Sequence, residues 1–167
     1  MNTKVLKQKI NTATSLTVSS LHSLADSAVN GWQSALISNL TTQATDYLIA
    51  VDIRLSGAPV LPKAIYVYLC PAFYDGSAWI LAASGTASSR TTTEGTITVT
   101  EPHNLRLMRV LNYTTSGGAA SDIFLVSETF GPAMPDGFQV MIFNDSGVAL
   151  AGSGSKVWVR PINLKQI

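Results

Sequence analysis

The feature that most constrains this chain is the alternation of apolar and polar residues in short segments separated by turn residues. In "DYLIAVDIRL", the odd-numbered residues from Tyr47 to Leu55 are apolar, whereas Asp52 and Arg54 fall between them. Successive side chains of a β-strand point to opposite faces of the sheet. The segment therefore predicts a strand with one face in a core and the other toward water.

Comparable segments recur along most of the chain. "SLTVSSL" and "WQSALI" precede this strand, and "AIYVYLC", "GTITVT", "LRLMRVLNY", "SDIFLV", "FQVMIF" and "SKVWVRP" follow it. In "AIYVYLC" both faces are apolar or amphipathic, which predicts a central strand or one beneath a partner. Trp32 is interpreted as the start of a buried strand.

The connections between these segments are rich in Gly, Pro, Ser and Asp, and no long helical period interrupts the series. Many short strands with such turns are typical of sandwiches and jelly rolls. We predict an all-β fold, an antiparallel β-sandwich of jelly-roll type.

Length and composition narrow the class of protein. The chain has 167 residues, which suits one domain. Charged residues make up 13% and the net charge is +1, so neither nucleic acid nor a membrane is an expected partner. No apolar run reaches the roughly 18 residues of a membrane span, and no signal-peptide core precedes the first strands. Cys70 is the only cysteine, which excludes an intrachain disulfide.

The charge distribution predicts one boundary. Residues 1–14 carry Lys4, Lys7 and Lys9 and no acid, so that the remainder is slightly acidic. We predict a basic N-terminal arm over 1–14 and a single β-sandwich domain over 15–167. Two interpretations of the arm stay open, namely a terminus frayed in solvent and a segment that docks on a neighbouring subunit.

The stretch "GVALAGSGSK", residues 147–156, contains the residue types of a phosphate-binding loop. Gly147 and Gly152 have P-loop spacing, but Ser153 stands where the lysine belongs. A strand pattern, "KVWVRP", follows instead of the helix that such a loop requires. The serines also miss the spacing of a nucleophile elbow. We predict two turns around a short strand, "VAL".

Other residues with acid–base or ion-pairing chemistry are scattered. They are His22 in an apparent strand, His103 after Pro102, the glutamates Glu94, Glu101 and Glu128, and the arginines Arg106 and Arg109. None shows the spacing of a zinc site or of a positioned nucleophile and base. We predict no catalytic, metal-binding or cofactor-binding residue and no enzymatic activity. The glutamates are interpreted as solubilising, and the arginines as cross-strand partners of acids.

Aromatic residues offer candidate binding surfaces. Phe73, Tyr74 and Trp79 lie in and beside the turn of "CPAFYDGSAWI", where rings could stack on a sugar, fill a partner's pocket or cap the core. Trp158 shares its side of the last strand with Arg160, which predicts an outward-facing tryptophan at an interface.

Several of these segments together resemble a known group of proteins. "KAIYVYLC", "PHNLRLMRVLN", "FGPAMPDGFQVMIFNDSGVAL" and a closing "KVWVRP", within residues 46–161, are similar to small virion structural proteins of tailed bacteriophages. The resemblance implies a β-sandwich built into the particle, of the capsid decoration (cement) type, often trimeric and without catalytic residues. The chain departs from the group in the arm at 1–14 and in a Ser/Thr loop at 83–96.

We therefore expect a virion protein, made in the host cytoplasm, that binds the major capsid protein as a homotrimer and stabilises its lattice. The predicted partner-binding residues are Lys4, Lys7, Lys9, Phe73, Tyr74, Trp79 and Trp158. The alternative is a carbohydrate-binding adhesin of the tail or head surface, in which Tyr74 and Trp79 stack on sugar. A hydrolase dependent on His22 or His103 is the third hypothesis.

Overall fold

The computed structural model describes residues 6–82, 91–99, 105–113 and 118–166. These residues form twelve strands and one short helix, α1 (Ser127–Phe130). The strands are β1 (Leu6–Ile10), β2 (Thr14–Ser15), β3 (Asn30–Gln33), β4 (Ile37–Ser38), β5 (Asp46–Arg54), β6 (Ala64–Tyr74), β7 (Trp79–Leu81), β8 (Gly95–Thr98), β9 (Arg106–Leu111), β10 (Ala119–Leu125), β11 (Gly137–Asp145) and β12 (Lys156–Gln166).

The strands make two antiparallel sheets in a sandwich-like arrangement. The first sheet has the order β1-β12-β5-β10, with β2 also paired to β12. The second has the order β7-β6-β11-β3-β8, with β9 paired to β6 and β4 to β11. The prediction of an all-β antiparallel fold is confirmed.

The main core lies between the two sheets. Ile49 and Val51 of β5 are buried in the same apolar cluster as Val67 and Leu69 of β6. Tyr47 packs edge-on against Phe138, with 5.2 Å between ring centroids. The inner face predicted for β5 is confirmed, and Trp32 is fully buried in β3, as expected.

A second apolar cluster covers the other face of the second sheet. Met141, Phe143 and Cys70 lie there with Ile97 and Val99, which come from β8 and the residue after it. Strand β11 is therefore buried on both faces over nearly its whole length. Strand β6, between β11 on one side and β7 and β9 on the other, has the central position that "AIYVYLC" predicts.

The strand predicted for "SLTVSSL" is wrong beyond its first residues. Only Thr14–Ser15 pair with β12, and residues 19–23 form a turn. The amide groups of Leu21 and His22 both donate to the carbonyl of Val18. Leu21 and Leu24 are both buried, and residues three apart cannot share one face of a strand. His22 therefore lies in a turn, not in a strand.

The strand predicted for "VAL" reduces to a single bridge, Leu150 with Leu55. Side chains occupy the Val148 carbonyl, which a longer strand would use. The Val148 carbonyl accepts hydrogen bonds from the side chains of Asn144 and Ser146. Local side-chain bonds of this kind compete with a strand ladder.

Candidate functional site

The predicted aromatic turn is the tip of the β6–β7 hairpin. The Asp75 side chain holds the turn by accepting from the backbone amides of Ser77 and Ala78, at 2.8 and 2.7 Å. The Ala78 amide, followed by the Ser77 amide and hydroxyl, lowers the pKa of the Asp75 carboxyl. Gly76 has a φ of 102°, a conformation that favours glycine. The hydrogen bonds of Asp75 and the glycine at residue 76 thus fix the turn that joins the two aromatic strands.

Tyr74 and Trp79 pair across the hairpin. Their ring centroids are 5.1 Å apart, and both side chains are half-buried. A methyl group at Gly137 would lie 2.9 Å from the Trp79 ring, so this glycine makes room for the indole. The Tyr74 amide donates to Asp136 at 3.0 Å. The aromatic pair therefore helps to anchor the hairpin to β11 through the contact of Trp79 with Gly137.

Phe73 and Ile80 form the exposed part of the hairpin. They are directly opposite each other in the β6–β7 register and are 58% and 56% exposed. Beside them lies a shallow cavity of about 370 Å³ that Met134 and Pro135 also line. We call this surface the hairpin patch, defined by Phe73, Ile80, Met134 and Pro135. Large apolar side chains exposed side by side are typical of an interaction site.

The described lysines of the basic arm belong to the first sheet. Strand β1 pairs with the end of β12, so that Lys7 lies opposite Lys165 and Lys9 opposite Asn163. Both lysine side chains of β1 are exposed. Lys4 lies outside the described residues. The structure thus separates the predicted partner-binding residues that it describes, because the lysines of β1 and Trp158 belong to one sheet and the aromatic residues of the β6–β7 hairpin to the other.

Trp158 lies on the outer face of the first sheet. Its neighbours Val157 and Val159 are buried, whereas Trp158 is partly exposed, as its alternation with them predicts. The Lys156 ammonium lies 5.7 Å from the centre of the indole ring. Ala50 of β5 is the direct pairing partner of Trp158.

A groove runs over Ala50, and we call it the β5 groove. Trp158 on β12 and Ile123 on β10 form its walls, and Ile123 is 61% exposed. The groove consists of two adjoining cavities of about 310 and 580 Å³ that share Ala50 and both walls. Leu48 and Arg160 lie at one end, and Asp52 and Ser121 at the other.

The glutamates predicted to be solubilising have structural roles where the structure describes them. Glu94 accepts hydrogen bonds from the Ser20 amide at 2.7 Å and from the Trp32 indole at 2.8 Å. Glu128 pairs with Arg109, so this arginine binds an acid, although on helix α1 and not on a paired strand as predicted. Glu101 lies outside the described residues. The interpretation of Glu94 as merely solubilising is wrong, since it bridges a turn to a buried ring.

Of the two histidines, the described residues include His22. The His22 ring lies 3.3 Å from the Ser155 carbonyl, and His103 lies outside the described residues. No three His, Cys, Asp or Glu side chains gather as metal ligands within the described ranges. Nor does any helix in those ranges have the length and apolar character to cross a membrane.

Residues 147–156 are two turns followed by a strand, as predicted, apart from the missing "VAL" strand. Gly147 and Gly154 have φ values of 86° and 89°. The residue after the second turn opens β12, so no helix N-terminus faces the loop. Asp26 accepts from the Gly147 amide at 2.7 Å, and a carboxylate at that position opposes phosphate binding.

Comparisons with known proteins do not assign a relative, since no family model and no curated protein matches the chain.

The sequence pattern does not single out Ile80, Ala50 or Ile123 as surface-forming residues. A signal existed for Ile80, because reading "YDGSAW" as a hairpin turn places Ile80 opposite Phe73. No comparable signal existed for the β5 groove. Its residues come from three strands whose pairing the sequence does not reveal.

Proposed function

We propose that the protein is a structural protein of a bacteriophage virion, a capsid decoration protein that binds the major capsid protein as a homotrimer and stabilises its lattice. Three of the four resembling segments support this, because they are neighbours in space. "KAIYVYLC", "LRLMRVL" and "FQVMIFND" correspond to β6, β9 and β11, and both β9 and β11 pair with β6. These three segments thus form one continuous part of the second sheet, and the fourth, "KVWVRP", lies in β12 of the first sheet.

The observation that carries the proposal is the hairpin patch. Phe73 and Ile80 offer paired apolar side chains on a hairpin whose turn and base are held by Asp75 and Asp136. A preorganised apolar anchor of this kind loses little conformational entropy on binding. Such anchors commonly carry most of the binding energy of a protein interface. A protein that clamps capsid subunits needs surfaces with this property.

We further propose that the sandwich is a jelly roll. In that topology eight strands form two four-stranded sheets, in which the first strand lies beside the eighth and the second beside the seventh. The order β1-β12-β5-β10 corresponds to strands one, eight, three and six, and β3-β11-β6-β9 to strands two, seven, four and five. On this assignment β7 and β8 are additions between the fourth and fifth strands. Jelly rolls are common in viral capsid proteins.

The hairpin patch gives the test of the decoration role. We expect the double variant Phe73→Ser, Ile80→Ser to bind particles lacking the protein at least about tenfold more weakly, since loss of a binding anchor costs roughly 2 kcal/mol. Its stability should change little, because both side chains are largely exposed. The matched control is Leu61→Ser, which changes a 69% exposed residue on a different loop. Equal particle binding by all three proteins would contradict the proposal.

The position on the particle is tested by immunogold electron microscopy with antibody to this chain. Gold spread over the heads is the expected result. Gold confined to tails would favour the adhesin alternative. Unlabelled particles would contradict the proposal that this is a virion protein.

The adhesin remains the second proposal, with less support from the geometry. Tyr74 and Trp79, the rings expected to stack on sugar, pack against each other, and Trp79 also packs against Gly137. Loss of glycan binding in Trp79→Ala, with folding retained, would be the result that favours it.

A further inference from the structure

Strand β10 is an edge of the first sheet, because among the described strands it pairs with β5 alone. Its backbone groups alternate in direction, as in any antiparallel pair. The backbone amide of Val126, one residue past the strand, donates to the Tyr47 carbonyl of β5 at 2.9 Å. The even-numbered residues of β10 therefore direct their amides to β5. Residues 119, 121, 123 and 125 direct theirs to the open edge.

Two of these outward amides are bound by carboxylates. The Ile123 amide donates to Asp122 at 2.7 Å, and the Leu125 amide donates to Glu128 at 3.1 Å. The other oxygen of each carboxylate binds Arg109 on β9, through Nε for Asp122 at 2.9 Å and through Nη2 for Glu128. Each carboxylate thus joins an edge amide to the same guanidinium. We call Arg109, Asp122 and Glu128 the edge clamp.

The edge clamp is held in position but open to solvent. Arg109 Nη1 donates to the Met108 carbonyl at 2.8 Å, and the guanidinium lies over the Phe124 ring. The side chains of Arg109, Asp122 and Glu128 are 30%, 37% and 43% exposed. Protons from solvent therefore reach both carboxylates without unfolding of the core.

An unprotected edge strand is a template for pairing with another strand, and charged side chains are a common protection. A second copy of this chain offers the same edge. Two identical edges pair about a two-fold axis, which closes the contact after two copies. Such a pair would bring two Asp122 carboxylates to one edge, and like charges opposite each other destabilise paired strands. The edge clamp therefore opposes pairing of β10 with β10 of another copy.

The charges around the edge clamp determine how it responds to pH. Arg109 is the described cation that both carboxylates contact. On the neighbouring strand β5, Asp46 binds the first residue of α1, and Asp52 lies 3.6 Å from Arg54. Arg109 lowers the pKa of the Glu128 carboxyl. Glu128 therefore stays charged until the pH falls below the ordinary value for glutamate, about 4.3.

We propose that the edge clamp is an acid-sensitive latch that prevents β10 from pairing with β10 of a second copy of this chain. Asp122 and Glu128 each take up one proton from solvent, which removes the charges that bind Arg109. Hydrogen bonds with ionised partners are about twice as strong as neutral ones, so the neutral carboxyl groups no longer hold the edge closed. This inference does not depend on the proposed role in a virion, since it follows from the β10 edge alone.

The test is sedimentation velocity of the full chain at pH 7 and at about pH 3, below the ordinary carboxyl range. We expect acid to double the mass measured for the unchanged protein at pH 7. Asp122→Asn, Glu128→Gln should double the mass already at pH 7, because neutral side chains of the same shape replace the charges. The matched control, Asp26→Asn, Asp145→Asn, removes the same charge around Lys63 and should not change the mass.

Ser121→Pro shows whether the β10 edge makes the contact. Ser121 directs its amide outward, so the substitution removes an edge donor but no hydrogen bond to β5. It should abolish the doubling both in acid and in the Asp122→Asn, Glu128→Gln background. Ser121→Ala loses the same hydroxyl bond to Asp52 but keeps the amide, and should leave the doubling intact. Far-ultraviolet circular dichroism verifies that each variant is folded.

Three results would overturn the proposal. An unchanged mass, either for folded Asp122→Asn, Glu128→Gln at pH 7 or for the folded unchanged protein in acid, would mean that the edge clamp is not a latch. Doubling that persists with Ser121→Pro would assign the contact to another surface. Doubling in the Asp26→Asn, Asp145→Asn control would attribute association to the loss of negative charge in general.

Discussion

Single residues show how strongly buried polar groups depend on one partner. Glu94 satisfies the indole N–H of Trp32, a ring with no exposed surface, and the amide of Ser20. A glutamate in a Ser/Thr-rich segment gives no indication of such a role. The residue becomes structural only because the turn at residues 19–23 and strand β3 lie next to it in space.

We expect Glu94→Ala to lower the free energy of unfolding by about 1–3 kcal/mol, because it leaves a buried indole donor without an acceptor. Glu94→Gln should cost less, since the amide oxygen still accepts from Trp32. Urea unfolding followed by tryptophan fluorescence measures both. Equal stability of the two variants would show that the hydrogen bond to Trp32 is not the important contact.

At the scale of elements, one arginine connects the two sheets at an open edge of the sandwich. Arg109 on β9 pairs with Asp122 on β10 and with Glu128 on α1, and its guanidinium lies 5.2 Å from the centre of the Phe124 ring. Arg109, and then the Leu125 amide, lower the pKa of the Glu128 carboxyl. The charged form of Glu128 therefore stabilises the folded state.

The lowered pKa of Glu128 predicts how the free energy of unfolding depends on pH. Glu128 contributes stability above its ordinary pKa of about 4.3, and this contribution is lost as the pH falls through its lower pKa in the folded protein. Because the side chain is 43% exposed, the effect should be under about 1 kcal/mol. We expect Glu128→Gln to be less stable than the unchanged protein at pH 7, with the difference shrinking at acidic pH. Urea unfolding across that pH range measures it, and a constant difference would refute the assignment.

At the scale of the whole molecule, the N-terminal segment completes the first sheet. Five register pairs join β1 to β12, so at least part of the predicted arm is an edge strand of the described structure. The division between an arm at 1–14 and a domain at 15–167 stays a prediction. Deleting residues 1–14 would remove β1 and leave the edge of β12 open, which risks aggregation as well as loss of binding.

Removing the charges of Lys7 and Lys9 while keeping strand β1 separates loss of binding from damage to the sheet. We expect Lys7→Gln, Lys9→Gln to reduce binding to particles if the segment docks on a neighbour, and the reduction should be larger at low salt. The melting temperature of this double variant should remain unchanged, because both side chains are exposed. A pull-down with purified particles at two salt concentrations measures it. Unchanged occupancy at both would assign the segment to the sheet alone.

The sequence by itself determined most of the longer strands and which residues of β5 and β12 face inward, but neither β1 nor the turn at residues 19–23. Alternation is a local property of the sequence. The folded strand retains it because a shift of one residue would expose every buried side chain of the strand. Turn residues likewise act locally, as at Asp75 and Gly76.

Only the tertiary structure decided which outward residues are covered and which are left exposed. Met141 and Cys70 alternate with core residues but are buried within the second cluster, whereas Ile123 and Trp158 remain on an open face. The β5 groove forms because Ala50, Ile123 and Trp158 come together from distant parts of the chain. Strand pairing at such separations depends on the energy of the whole core, which no local pattern contains.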